Sequence, residues 1–175
     1  MIDAHHSLEP NFAHPIFSEV AALRLPEPDK FVINHSAALD IYGLLGRPYN
    51  DIDAAASLRN IRFLRSEHDF SIHRKIVGYK TDRQPVEIIV SQDDDERFDI
   101  HRWDFSMQEY RRTGLGRIAL KGVISHSIQH PELRLRVAVP GFVLATKVDT
   151  GREQDEFDIA WAKTEYGIEP MSELS

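Results

Sequence analysis

Phe31-Val32-Ile33, then Ser36-Ala37-Ala38-Leu39-Asp40-Ile41-Tyr42, then Asp51-Ile52-Asp53-Ala54-Ala55 make up the stretch on which the fold turns. Three consecutive apolar residues read as a short buried strand. Ser36 reads as the N-cap of a helix carrying Ala37, Ala38, Ile41, Tyr42 and Leu45 at helical spacing. Gly43, Gly46 and Pro48 stop that helix, and Asp51 to Ala55 reads as a second strand. Residues i and i+2 of a strand share a face, with Cα atoms about 6.5 Å apart, so Asp51 and Asp53 present two carboxylates together. Such a pair can hold one or two divalent cations, and a third carboxylate on another strand completes a site for metal-assisted phosphoryl chemistry. Glu87, alone among apolar residues in Val86-Glu87-Ile88-Ile89-Val90, is the candidate third. A carboxylate in apolar surroundings is costly unless it is paired or metal-bound.

Working outward, four of the nine prolines fall in the first 30 residues, with a short helix expected between Phe17 and Leu25. After Asp53 come a helix from Leu58 to about Glu67, then strands Phe70–Ile76 and Val86–Val90. The acidic segment Asp93-Asp94-Asp95-Glu96 reads as a solvated loop separating these strands from a less readable stretch, 97–130, with Arg111-Arg112 and a Gly114–Gly116 turn. Leu133 to Val139 alternates in the period of a half-exposed strand. Pro140 opens a helix through Lys147. A last helix, about Gln154 to Tyr166, is expected to turn Phe157, Ala160 and Trp161 inward. The expectation is an α+β fold with a mixed sheet flanked by helices. It is divided into an N-terminal extension (1–30), a single domain (31–166) and a tail (167–175).

At 175 residues the chain is long enough for a self-sufficient core. It has no cysteine, which excludes disulfides, thiolate metal sites and cysteine nucleophiles. No apolar run is long enough to span a membrane and the N-terminus lacks the pattern of a secretory signal, so a cytoplasmic location with no membrane partner is expected. A net charge of −7 argues against a broad non-specific nucleic-acid surface. The histidines do not make a zinc pattern: only His126 and His130 stand at i,i+4 spacing, and they read as exposed. A Gly-x-Ser-x-Gly elbow, a Walker loop and a dinucleotide fingerprint are all absent.

The order of strand 31–33, helix from Ser36, Asp51-x-Asp53 on a strand and a later isolated carboxylate resembles the nucleotidyltransferase superfamily, the polymerase-β-like fold. Pro140 to Asp158, with Lys147, Arg152, Asp155 and Asp158, is similar to its minimal bacterial branch, which includes abortive-infection toxin enzymes of toxin–antitoxin systems. The resemblance covers about half the chain. It implies transfer of a nucleoside monophosphate from an NTP to an acceptor (RNA, protein or small molecule), with Mg²⁺ or Mn²⁺ as cofactor. It assigns Asp51, Asp53 and Glu87 as catalytic metal ligands, and His35, Ser36 and Lys147 to nucleotide binding. The helix start at Ser36 would then offer backbone N–H groups to a phosphate. Read without the resemblance, Lys147 is a surface lysine, and Arg152 with Asp155 and Asp158 is mainly structural.

One departure is specific. Position 35 is His where the family pattern has Gly, and Gly permits close approach of backbone to phosphate. The imidazole is expected to obstruct the triphosphate when neutral and to act as a cationic ligand once protonated, below a pKa of about 6.5. The alternative reading of the chain is therefore a catalytically silent nucleotidyltransferase-like module that binds a protein or RNA partner.

Overall fold

The computed structural model describes residues 8–79, 82–102, 124 and 126–171, with the side chains of 77–79, 82–88 and 149 outside that description. His5-His6, Arg111-Arg112 and the Gly114–Gly116 turn lie outside the described residues. Among the described residues seven strands form one mixed sheet: β1 (Phe31–Ile33), β2 (Ile52–Ala56), β3 (Ser71–Tyr79), β4 (Asp82–Gln92), β5 (Phe98–Arg102), β6 (Ser127–Gln129) and β7 (Arg136–Ala138). Their spatial order is β3-β4-β5-β2-β1-β7-β6. β1 and β2 are antiparallel, while β1–β7 and β2–β5 are parallel. The α+β class with a mixed sheet is as expected.

The middle strands are short and apolar because both faces are covered. Phe31, Val32, Ile33, Ile52 and Ala56 are fully buried. Among the described residues the helices are α1 (Pro15–Ala21), α2 (His35–Ile41), α3 (Leu58–His68), α4 (Pro140–Thr150) and α5 (Glu153–Tyr166), with a 3₁₀ turn at Pro28–Lys30. Ile16, Phe17 and Val20 of α1 belong to the same core as β1. α2 lies against β2, β7 and α4, and α4 lies against α5. That chain of contacts brings the C-terminal helices to the start of α2.

Several boundaries differ from the sequence reading, each for a local reason. Asn34, not Ser36, caps α2: its side-chain oxygen accepts from the His35 backbone N–H at 2.9 Å. That releases the Ser36 hydroxyl for other partners. His126 and His130 flank strand β6 rather than sharing a helix face. His130 is buried and packs edge-on against Phe12 and Phe17, and His126 stacks on Phe142. In α5 the inward positions are Asp155, Asp158 and Ala162, while Phe157 and Ala160 are exposed. A helix that buries carboxylates breaks the apolar periodicity from which its inner face was read.

Candidate metal centre

Asp53 lies on β2, and parallel pairing with β5 sets it directly beside Asp99. His101, two residues further along β5, shares the face of Asp99. Ligand atoms of Asp53, Asp99 and His101 all lie within 4.8 Å of one another. Asp51 immediately precedes β2, two residues from Asp53.

The electrostatics of this group are unresolved by protein contacts. Burial, then the charge of Asp51, and further Asp99, push the Asp53 carboxyl up to about 7, with His101 and Arg152 pulling the other way. Asp99 is 7% exposed, and its Oδ1 has no hydrogen-bond partner among the described residues. His101 Nε2 stands 3.7 Å from that oxygen and Lys75 Nζ 3.9 Å from the other, both too far for a hydrogen bond. Burial raises Asp99, yet His101 and Lys75 outweigh it and hold the carboxyl below the usual range. An ionised, buried oxygen without a donor is what a cation site requires before the cation arrives.

The donor set fits a divalent ion. Two carboxylates and one imidazole suit a cation that accepts both oxygen and nitrogen. Mn²⁺ meets that description better than Mg²⁺, which favours oxygen alone.

The other ionisable cluster is of the opposite kind. Lys147, on α4, is 1% exposed, not on the surface, and its Nζ lies 2.9 Å from both Asp155 and Asp158. Arg47 donates to both oxygens of Asp158 at 2.8 and 2.7 Å. Arg152 Nε and the Thr150 hydroxyl donate to Asp155 at 2.8 and 2.7 Å. Burial raises Asp155, but Arg152, Lys147 and Thr150 hold it far below the usual carboxylate range. The Ser36 hydroxyl accepts from Arg47 at 3.0 Å and from Lys147 at 3.4 Å. Three cations face two carboxylates, so the cluster carries an excess positive charge.

His35 stands between the two clusters, since the charges of Lys147, His101 and Arg152 all act on its ring. Its backbone has φ 50°, the left-handed region that Gly enters at little cost and His does not. Burial, with Lys147 and other cations, lowers the imidazole to about 3. The expectation of a cationic His35 below about 6.5 is therefore corrected: the ring is neutral at pH 6. Its Nδ1 is buried with no partner among the described residues.

Of the residues assigned from sequence, Asp53 joins the metal group and Asp51 adjoins it. Ser36 and Lys147 are engaged in the ion network. Glu87 pairs with Ile76 in the β3–β4 ladder, three positions along β4 from Val90, which pairs with His101. Its side chain lies outside the description. Asp99 and His101 were not singled out from sequence, although Phe98-Asp99-Ile100 is itself a carboxylate between apolar residues. β5 fell in the less readable stretch after the acidic loop, and that solvated loop is the turn delivering β5 to β4 and β2.

No protein-family model matches the chain, and no curated protein or solved structure matches it. Among the described residues no helix is long and apolar enough to cross a membrane.

Proposed function

We propose that this protein is a divalent-cation-dependent nucleotidyltransferase, moving a nucleoside monophosphate from an NTP to an acceptor. The observation that supports it most is the parallel register of Asp53 with Asp99, two neighbouring carboxylates with no hydrogen-bond donor to Asp99 Oδ1 among the described residues. Asp53 and Asp99, with Asp51 adjoining, would hold Mg²⁺ or Mn²⁺, and His101 would complete the set. A bound cation supplies neutralisation of phosphate charge as the transition state forms. Arg152, half-exposed and held in place by Asp155, positions a phosphate beside the carboxylates. In the reaction the acceptor oxygen bonds to the α-phosphorus, the bond to the β-phosphate oxygen breaks, and pyrophosphate leaves. The acceptor's proton passes to solvent.

The test is incubation of the full chain with α-labelled NTPs, Mg²⁺ or Mn²⁺, and a pool of RNAs, proteins and small molecules. Label should move from α-labelled but not γ-labelled NTP, and Asp53→Asn or Asp99→Asn should abolish transfer. Absence of transfer with both cations overturns the catalytic reading. The silent-module alternative draws on His35, which stands where the resembled pattern has glycine.

A further inference from the structure

We propose that the open cleft at the start of α5 seats the base and ribose of the nucleotide, with the exposed ring of Phe157 as the stacking platform. The cleft has a volume of about 690 Å³ and is lined by Arg47, Arg152, Glu153, Gln154 and Phe157. That is the size range of sites for small molecules.

Three features of the lining select a nucleoside rather than a simple anion. Phe157 is 44% exposed on a helix whose inner positions are carboxylates, so core packing does not account for it. Its ring is nonetheless held in place, stacked on Trp161 with centroids 6.0 Å apart and planes 18° from parallel. Trp161 in turn lies against Gly46, where a Cβ would fall 2.4 Å from the indole. A backed, solvent-facing aromatic is a surface on which any base can stack. Second, Arg47 and Arg152 are planar cations fixed in orientation by Asp158 and Asp155. Third, Glu153 and Gln154 bring acceptors and donors able to read the edge of a stacked ring.

Arg152 ties the cleft to the metal centre. It lines the cleft, and its charge acts on Asp53 and Asp51. A nucleotide with its base on Phe157 would carry its phosphates past Arg152 toward the carboxylates. This assignment rests on the nucleotidyltransferase reading and adds to it where the nucleoside is recognised.

The experiment is equilibrium binding of the four NTPs and of inorganic tripolyphosphate to the full chain in Mn²⁺. Wild type should bind its best NTP at least about tenfold more tightly than tripolyphosphate. Phe157→Ala should weaken that NTP by about tenfold, the scale of one base–aromatic stack, and leave tripolyphosphate within about twofold. Phe157→Trp should keep the NTP affinity, and thermal melting should show both variants folded. If NTP binds and Phe157→Ala changes nothing, or weakens tripolyphosphate equally, the cleft assignment is wrong while the transferase reading stands. If wild type binds neither NTP nor tripolyphosphate, the transferase reading fails and takes the cleft assignment with it.

Discussion

The two ionisable clusters of this fold are built from the same residue types and behave oppositely. Around Lys147 every carboxylate is answered: Asp155 and Asp158 receive six short contacts from Lys147, Arg47, Arg152 and Thr150. Around Asp53 and Asp99 the carboxylates crowd each other, and the nearest cations stop short of hydrogen-bonding distance. Buried charge that serves the fold is paired within the chain. At Asp99 Oδ1 a buried oxygen has no hydrogen-bond donor among the described residues, and the proposed cation site rests on that difference.

The comparison breaks most easily at Lys147. Removing one member of a buried ion network strands its partners, so Lys147→Met should cost about 3–5 kcal/mol in urea denaturation. A cost under about 1 kcal/mol would mean that the network is no more than a set of solvated pairs. Next in size is Gly46→Ala, whose new methyl must displace the rigid indole of Trp161 and not the end of a flexible chain. Overpacking of this kind costs about 1–3 kcal/mol, and it should also disturb the Phe157–Trp161 stack.

Asp53→Asn should act in the opposite direction to Lys147→Met. In the metal-free protein the folded-state carboxyl titrates near 7, above its ordinary value of 3.8. The folded state therefore holds a proton that the unfolded state has lost between about pH 4 and 7, and Asp53 makes folding less favourable as pH rises through that window. Asp53→Asn removes that dependence. The variant should gain on wild type between pH 5 and pH 8, by about 2–3 kcal/mol, as the buried carboxyl beside Asp51 loses its proton. A difference between the two proteins that does not vary with pH would show Asp53 to be ordinarily ionised.

His35→Gly sharpens the boundary between the clusters. At φ 50° a glycine escapes a steric cost of about 1 kcal/mol, so the variant should be more stable by up to that amount. It should bind Mn²⁺-nucleotide more tightly at pH 6 and pH 8 alike, because the ring is neutral at both. Tighter wild-type binding at pH 6 alone would restore a cationic role for the imidazole.

The frame of the fold was readable because its signals are local. Phe31–Ile33, the helix after Asn34, Leu58–His68 and Pro140 onward all carry their own start or stop residues. Asp53 was readable for the same reason, but the expected strand from Asp51 begins only at Ile52, so Asp51 adjoins the strand and does not share its face as a strand residue. What lay outside local reading was pairing across the sheet. Only the parallel register of β2 with β5 makes Asp99 the neighbour of Asp53, and Glu87 carried the same local signature as Asp99. The inner face of α5 was missed because its buried residues are charged. The network of Lys147, Asp155, Asp158 and Arg47 is legible only once they are seen together, and Arg47 and Asp158 stand 111 residues apart.

The central claim is that Asp53 and Asp99 await a cation, and Mn²⁺ titration calorimetry on the metal-free chain at pH 7.5 tests it without any substrate. Wild type should bind Mn²⁺, and Asp53→Asn and Asp99→Asn should each weaken binding by at least about tenfold while melting as folded proteins. Glu87→Gln should leave it within about twofold. Absence of Mn²⁺ binding in wild type, or equal binding in wild type and Asp99→Asn, would contradict the account.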